Sequence, residues 1–229
     1  MAAETGGFSA APDKFHRELG ALKDKLLELA RLAQEAIDQS VAAFFTPDPD
    51  LANQVIKGDG TINRLEEFID SECIRLIALY QPVAIDLRQL MAIDHIIEEL
   101  ERIGDSATNI AEEVLALEHR PPGKAHPQLK EMVQAVQEMV RQSLQAFLER
   151  DGQLARQVCK ADNIVDEMDR DIIADLLQEM AAAPDTILEG QSQINVVRNL
   201  ERVGDHATNI AEQVVYMVEG ESIRHRCQG

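Results

Sequence analysis

The sequence predicts an all-α protein made of two tandem, pseudo-symmetric three-helix bundles, and three observations support this prediction. The chain of 229 residues has no Trp, two Tyr and six Phe while 45% of it is hydrophobic, so the aromatic residues that favour strands are scarce. Turn-forming residues divide the chain into six long segments with helical periodicity. The second half of the chain also repeats the first half.

Helix-breaking residues set the boundaries of the predicted elements. The first helix ends at TPDPD (46–50) and the second at QP (81–82). The third ends before HRPPGKAHP (119–127), the fourth at ERDG (149–152) and the fifth at APD (183–185). We therefore predict helices at about 11–45, 49–80, 83–118, 127–150, 152–182 and 186–219.

The short connections inside each half make neighbouring helices antiparallel, and the Pro-Pro-Gly stretch at 121–123 forms a stiff joint between the halves. The predicted bundles are 11–118 and 127–219. Two segments carry the repeat. QSVAAFFTPDPDLANQVIKGD (39–59) aligns without gaps with QSLQAFLERDGQLARQVCKAD (142–162), and ERIGDSATNIAEEV (101–114) aligns with ERVGDHATNIAEQV (201–214).

The formal charge of −19 excludes some classes of function. A strongly negative chain repels nucleic acid and anionic lipid, although it can attract cations or a basic protein surface. Cys73, Cys159 and Cys227 are odd in number and share no close spacing, which is typical of reduced cytosolic thiols. The chain shows no signal peptide and no long apolar run, so we expect a soluble, cytoplasmic protein.

The repeated segment places acidic residues on one face of a helix. At about 100° per residue, Glu101 and Asp105 point to the same side, opposite to an apolar face that packs in the bundle. The same polar face carries Glu98, Asn109 and Glu112 in the first copy, and Glu201, Asp205, Asn209 and Glu212 form it in the second. We expect this acidic face to lie on the surface.

The preceding helix of each half adds oxygen atoms at i, i+4 spacing. These residues are Asp59 with Asn63 and Asp162 with Asp166, followed by Glu66 and Asp169. Carboxylates and amide oxygens, without thiolate or imidazole, suit a hard ion such as Fe(III), Mn(II), Mg(II) or Ca(II), which would offset their repulsion. The alternative is a solvated helix face on which Arg102 and Arg202 moderate the charge, and spacing alone leaves both open.

Three other residues of the repeated segment receive structural interpretations. Gly104 and Gly204 lie in mid-helix, where Gly is about 1 kcal/mol less favourable than Ala, so we interpret them as points of close helix approach. His206 replaces Ser106 and points away from Glu201, so we interpret it as a surface histidine and not as a metal ligand.

Both copies of the repeated segment, extended to LERIGDSATNIAEEV and LERVGDHATNIAEQV, resemble the signature of the PhoU family of phosphate-uptake regulators. The segment DLRQL (86–90) and the paired three-helix organisation are also similar to that family. The resemblance extends over nearly the whole chain. It implies two three-helix bundles whose surfaces carry multinuclear metal clusters held by E(D)xxxD pairs.

Applied to this sequence, the resemblance implies one ligand set in each half. The first set is Asp59, Asn63, Glu101 and Asp105, and the second set is Asp162, Asp166, Glu201 and Asp205. Glu98, Asn109 and Asn209 are further candidate ligands. Iron is the metal that the resemblance favours, with zinc, manganese or magnesium as alternatives.

The two halves depart from the family pattern in different ways. Asn63 is neutral where the pattern has an acid, which would weaken the first cluster. Glu98 aligns with Arg198, so the first half has an acidic residue at a position where the second half has a basic one. The ranking of the two clusters therefore stays open.

The resemblance also implies a role, which composition and spacing do not. PhoU-like proteins act as negative regulators that couple a phosphate ABC transporter, through its ATPase subunit, to a sensor histidine kinase. This chain would then be a cytoplasmic homodimer that reaches the inner face of the membrane through protein partners, without binding nucleic acid or inserting in the membrane.

Two other classes of function compete with this interpretation. A carboxylate-bridged metalloenzyme is disfavoured because no Glu has a His three residues later and no phosphate loop, nucleophile elbow or kinase signature is present. We therefore expect no enzymatic activity. A metal-free helical interaction protein shares the same fold and partners, and the sequence does not separate it from the metal-binding version.

Overall fold

The computed structural model describes residues 10–117, 124–221 and 223. Within these residues the chain forms helices and turns and no strand, which confirms the predicted all-α class. The helices are α1 (Ala10–Phe45), α2 (Pro49–Tyr80), α3 (Ala84–Ala116), α4 (Leu129–Glu149), α5 (Gly152–Ala182) and α6 (Ile187–Glu219). In the described part of the chain, no helix has the length and apolar character needed to cross a membrane.

Acidic residues in the breaker segments cap the helices that follow them. Asp48 accepts a hydrogen bond from the backbone N–H of Leu51 (3.0 Å), and Pro49 starts α2, where its missing N–H costs nothing. Asp151 accepts hydrogen bonds from the N–H groups of Gln153 (2.8 Å) and Leu154 (3.0 Å) at the start of α5. The breakers therefore end one helix and begin the next.

The predicted helix ends lie within two residues of those in the structure, and residues 118–123, which include the Pro-Pro-Gly joint, lie outside the described residues. Helix α4 begins at Leu129 and not at 127, because Pro127 and Gln128 form a turn that the Leu129 N–H closes on the His126 carbonyl (3.1 Å). Helix α6 begins at Ile187, after a short 3₁₀ helix at Pro184–Thr186.

The six helices form two bundles that share one core. Helices α1, α2 and α3 pack against one another, α4, α5 and α6 do the same, and α3 packs against α6. The apolar faces predicted for α3 and α6 are buried, and the buried side chains of both bundles join in a single cluster. The limits 11–118 and 127–219 for two separate domains stay a prediction, since the core is continuous.

Gly104 and Gly204 are points of close helix approach, as predicted. A Cβ atom added at Gly104 would lie 2.9 Å from Cδ1 and 3.3 Å from Cγ2 of Ile62 on α2. A Cβ atom at Gly204 would lie 3.4 Å from Cγ1 of Val165 on α5, which is an ordinary contact. The approach of α3 to α2 therefore depends on glycine more strictly than the approach of α6 to α5.

This difference predicts opposite effects for two matched substitutions. Gly204→Ala should leave stability unchanged or raise it by up to about 1 kcal/mol, because Ala favours the helix and fits the space. Gly104→Ala should lower stability by about 1 kcal/mol, since Ile62 is β-branched and yields poorly. Urea unfolding measures both values, and equal stabilities for the two variants would contradict this account.

Candidate functional site

The first implied ligand set lies on the neighbouring helices α2 and α3, close enough for its charges to interact, and we call these four residues the first acidic cluster: Asp59, Asn63, Glu101 and Asp105. The Asn63 amide donates a hydrogen bond to Oδ2 of Asp59 (3.1 Å). Burial, and next the charge of Asp59, raises the pKa of Asp105. Burial followed by the charges of Asp105 and Glu66 raises the pKa of Glu101, so the charges of the two helices act on one another.

The second acidic cluster lies at the equivalent place between α5 and α6 and consists of Asp162, Asp166, Glu201 and Asp205. Asp162 is only 2% exposed, and burial together with the charges of Asp205 and Asp166 raises its pKa to about 6. Burial and the neighbouring carboxylates, Asp205 foremost, raise the pKa of Glu201 to about 7. The pKa values are therefore raised mainly by burial, with repulsion between the carboxylates adding to it.

The predicted surface position holds for only part of the acidic residues. Asp105 and Asp205 are exposed, whereas Glu101 and Glu201 are half-buried and Asp162 is buried. The two glycines lie next to the first acid of each cluster, Asp59 and Asp162. Asp59 Oδ1 would lie 3.7 Å from a Cβ atom at Gly104, and Asp162 Oδ1 3.5 Å from one at Gly204.

The acidic surface extends further in the first half than in the second. Burial and then Asp70 raise the pKa of Asp94, while Glu98, an exposed candidate ligand, helps to raise that of Glu66. The second half has Ile173 and Ile194 at the positions that align with Asp70 and Asp94. The Arg198 charge opposes the effect of burial on the pKa of Asp169.

Several buried oxygens in and beside the two acidic clusters lack a hydrogen-bond partner. Asp59 Oδ1, Asn63 Oδ1 and Asp169 Oδ1 are buried and have no hydrogen-bond partner within the described residues. Such atoms are costly to bury unless something compensates them, and a hard cation prefers carboxylate and amide oxygens. However, no three His, Cys, Asp or Glu side chains in the described ranges are placed to hold one metal ion together. Metal binding therefore stays a prediction and would require these side chains to turn toward a common point.

The other two candidate ligands, Asn109 and Asn209, lie at the seam where α3 and α6 run antiparallel. Asn109 Nδ2 donates to Asn199 Oδ1 (3.2 Å), and Asn209 Nδ2 donates to Glu99 Oε2 (3.1 Å). Residues 99 and 199 are equivalent in the repeat, as are residues 109 and 209, so the two bonds are related by pseudo-twofold symmetry. Both amide groups thus connect the two halves.

His206 is half-buried at this seam and not on the surface, so its predicted surface position is wrong. Its Nδ1 lies 2.7 Å from Oε2 of Glu99, and the side chain is 15% exposed. A further bond joins Asn195 Nδ2 to Glu113 Oε1 (2.8 Å). Sequence reasoning missed these residues because helical periodicity does not show which helix of the other half faces them; the pairing of residues 99 and 199 was the only signal.

The sequence matches the family model described as the PhoU domain twice, at residues 26–114 and 129–214, once in each bundle. It is 41% identical over 213 residues to the "Phosphate-specific transport system accessory protein PhoU homolog" of Aquifex aeolicus, covering 93% of this chain and 96% of that protein. It is 33% identical over 215 residues to the "Phosphate-specific transport system accessory protein PhoU" of Escherichia coli (strain K12), covering 93% of this chain and 88% of that protein.

Two solved structures have the same fold. PhoU from Pseudomonas aeruginosa matches with a TM-score of 0.87 at 36% identity, over 90% of this chain and 100% of that chain. The phosphate transport system regulatory protein PhoU from Streptococcus pneumoniae matches with a TM-score of 0.85 at 29% identity, over 91% of this chain and 98% of that chain. The arrangement of two three-helix bundles is therefore common to this chain and to both structures.

The raised pKa values determine how the stability of the metal-free protein changes with pH. The pKa of Glu201 is about 7 in the fold and lower in the unfolded chain, so its stabilising effect is complete below about pH 4.5 and is lost as pH rises through 7. Chelator-treated protein should be less stable at pH 7.5 than at pH 5.5, and Glu201→Gln should reduce that difference by about 1–2 kcal/mol. Urea unfolding at both pH values measures it.

Glu167→Gln is the matched control for this measurement, because Glu167 is an exposed acid on α5. The Glu167→Gln variant should show the same difference in stability between pH 5.5 and pH 7.5 as the wild type. If Glu201→Gln behaved like Glu167→Gln, Glu201 would not experience the repulsion described here.

Proposed function

Because the chain belongs to the PhoU family, we propose that it is a regulatory accessory protein of a phosphate-specific transport system, acting as a negative regulator of phosphate uptake and of the phosphate-starvation response. The observation that carries this proposal is the double match to the PhoU domain, one copy in each bundle. The relatives from Aquifex aeolicus and Escherichia coli are named as accessory proteins of such a system, which supports a regulatory and non-enzymatic role.

The partners that we propose are the ATPase subunit of a phosphate ABC transporter and a sensor histidine kinase. The charge of −19 supports protein partners over nucleic acid or anionic lipid. Exposed apolar side chains at the α2–α3 turn (Leu79, Val83) and at the start of α6 (Ile187, Leu188) are of the kind that protein contacts cover. The protein would act as a cytoplasmic homodimer held at the inner face of the membrane by these partners.

We further propose that each acidic cluster holds hard cations, with iron as the first candidate and zinc, manganese or magnesium as alternatives. Asp59, Asn63, Glu101 and Asp105 would hold the ions of the first half, and Asp162, Asp166, Glu201 and Asp205 those of the second. The unpartnered oxygens and the raised pKa values support this, since a cation would offset both. The bound cation would supply positive charge that stabilises the close packing of α2 on α3 and of α5 on α6.

A metal-free regulator is the second candidate. It is favoured by one observation, namely that the described side chains do not converge on a single ion position. In that case the acidic clusters would serve as a charged surface for a partner, and their mutual repulsion would persist in the functional state. The two candidates share fold and partners and differ in what the carboxylates bind.

The regulatory role leads to a genetic prediction. Deletion of the gene should raise expression of phosphate-starvation genes in phosphate-rich medium, because the repressing input to the kinase is lost. Reporter expression measures this effect, and a plasmid copy of the wild-type gene should reverse it. Unchanged expression after deletion would contradict the proposed role.

The metal clusters lead to a separate prediction. Asp205→Asn should lower the metal content of protein purified without a metal-affinity tag to roughly half, because one of the two clusters loses a charged ligand. Asp171→Asn, an exposed change on α5, is the control and should keep the wild-type content. Elemental analysis measures both, and equal metal content would reject the ligand assignment.

Complementation then separates the two candidates. If the double variant Asp105→Asn/Asp205→Asn folds, loses its metal and no longer represses the starvation genes, regulation depends on the metal. If it loses its metal and represses normally, the metal-free candidate is correct.

A further inference from the structure

A cleft of about 340 Å³ opens between α3 and α6, beside the seam that joins the two halves. The hydrogen bonds from Asn109 to Asn199 and from Asn209 to Glu99 are related by pseudo-twofold symmetry. The cleft is lined by equivalent residues of the two repeats, so it lies where the halves meet and where both acidic clusters have a residue.

Two guanidinium groups line this cleft, from Arg102 on α3 and from Arg202 on α6. Both side chains are exposed, and within the described residues neither makes a hydrogen bond or an ion pair. Other arginines of this acidic chain do pair, such as Arg75 with Glu18 (2.6 Å) and Arg156 with Glu219 (2.7 Å). The cleft therefore presents two positive groups whose N–H donors make no hydrogen bond or ion pair within the described residues.

Apart from Asp105 and Asp205, the other polar residues that line the cleft already make hydrogen bonds or close contacts. The Ser106 hydroxyl donates to the Arg102 carbonyl (3.0 Å), Asn109 donates across the seam, and His206 Nδ1 contacts Glu99. The guanidinium groups are thus the free donors, and their planar N–H groups match the oxygens of a phosphate group.

Asp105 and Asp205 also line the cleft, and they belong to the first and second acidic clusters. Their two negative charges formally cancel the two positive charges of Arg102 and Arg202. An anion would therefore meet little net attraction while the clusters are empty. Cations in both clusters would neutralise the carboxylates and leave the guanidinium charges in excess.

We propose that this cleft binds a phosphate group between Arg102 and Arg202, and that cations in the two acidic clusters strengthen this binding. The inference rests on the proposed metal binding. It adds that the phosphate affinity of the cleft depends on whether cations occupy the two acidic clusters. Linkage requires the reverse effect as well, so bound phosphate raises the cation affinity of the clusters by the same factor.

Equilibrium dialysis with radiolabelled inorganic phosphate tests the proposal, using Mn²⁺ as the metal at micromolar concentration. Manganese-loaded protein should bind phosphate at least about tenfold more tightly than chelator-treated protein, a typical size for coupling between two sites. The variant Arg102→Gln/Arg202→Gln should keep its Mn²⁺ content and lose phosphate affinity about tenfold or more. The control Arg17→Gln/Arg31→Gln removes the same charge from α1, outside the cleft, and should bind phosphate as the wild type does.

A second arm uses adenosine monophosphate as a competitor and distinguishes a free phosphate ion from a phosphate ester. If only excess unlabelled inorganic phosphate displaces the radiolabelled phosphate, the cleft binds the free ion. If adenosine monophosphate displaces it at lower concentrations than inorganic phosphate does, the cleft prefers a phosphate ester. If the protein binds neither inorganic phosphate nor adenosine monophosphate, the proposal is overturned.

Three further outcomes would overturn the proposal and identify what failed. Equal phosphate affinity in manganese-loaded and chelator-treated protein would show that the acidic clusters do not affect phosphate binding. Undiminished affinity in Arg102→Gln/Arg202→Gln would place the phosphate on the metal ion and not on the guanidinium groups. Wild-type protein without Mn²⁺ by elemental analysis would reject the proposed metal binding itself, together with the inference that rests on it.

Discussion

The close approach of two helices in each bundle is the constraint on which the rest of the structure depends. Gly104 lets α3 lie against Ile62 of α2, and at the equivalent place α6 lies against Val165 of α5 with room for one more methyl group at Gly204. This packing brings the carboxylates of adjacent helices into one groove, where burial and their own charges raise their pKa values. The same repulsion therefore occurs at two equivalent places in the fold.

The seam between α3 and α6 makes the two halves into one unit. Its buried residues join the cores of both bundles, and its polar edge joins equivalent positions, with Glu99 bonded to Asn209 and Asn199 bonded to Asn109. Asp105 and Asp205 line the cleft beside this seam, so each acidic cluster has a residue next to the other half. A change of charge at Asp105 or Asp205 would therefore alter the electrostatic potential of this cleft.

Sequence reasoning reached the fold because its signals are local. The apolar face of α3 follows from helical periodicity, and the starts of α2 and α5 follow from the breaker segments TPDPD (46–50) and ERDG (149–152). The i, i+4 spacing also put Asp162 and Asp166 on one face of α5 and Glu201 and Asp205 on one face of α6, while their combination into one ligand set came from the family resemblance. It did not show that Asp162 is buried, or that His206 contacts Glu99, because both depend on the distance and facing of helices far apart in the sequence.

The central claim is that carboxylates from two adjacent helices share a cation in each half of the molecule. Crystals of protein purified with its native metal, measured at the absorption edges of iron, manganese and zinc, test it most directly. We expect an anomalous peak in each acidic cluster, about 2.0–2.2 Å from carboxylate oxygens contributed by both helices, the usual length of such bonds. Carboxylates that stay apart with no anomalous peak between them in either half would contradict the claim.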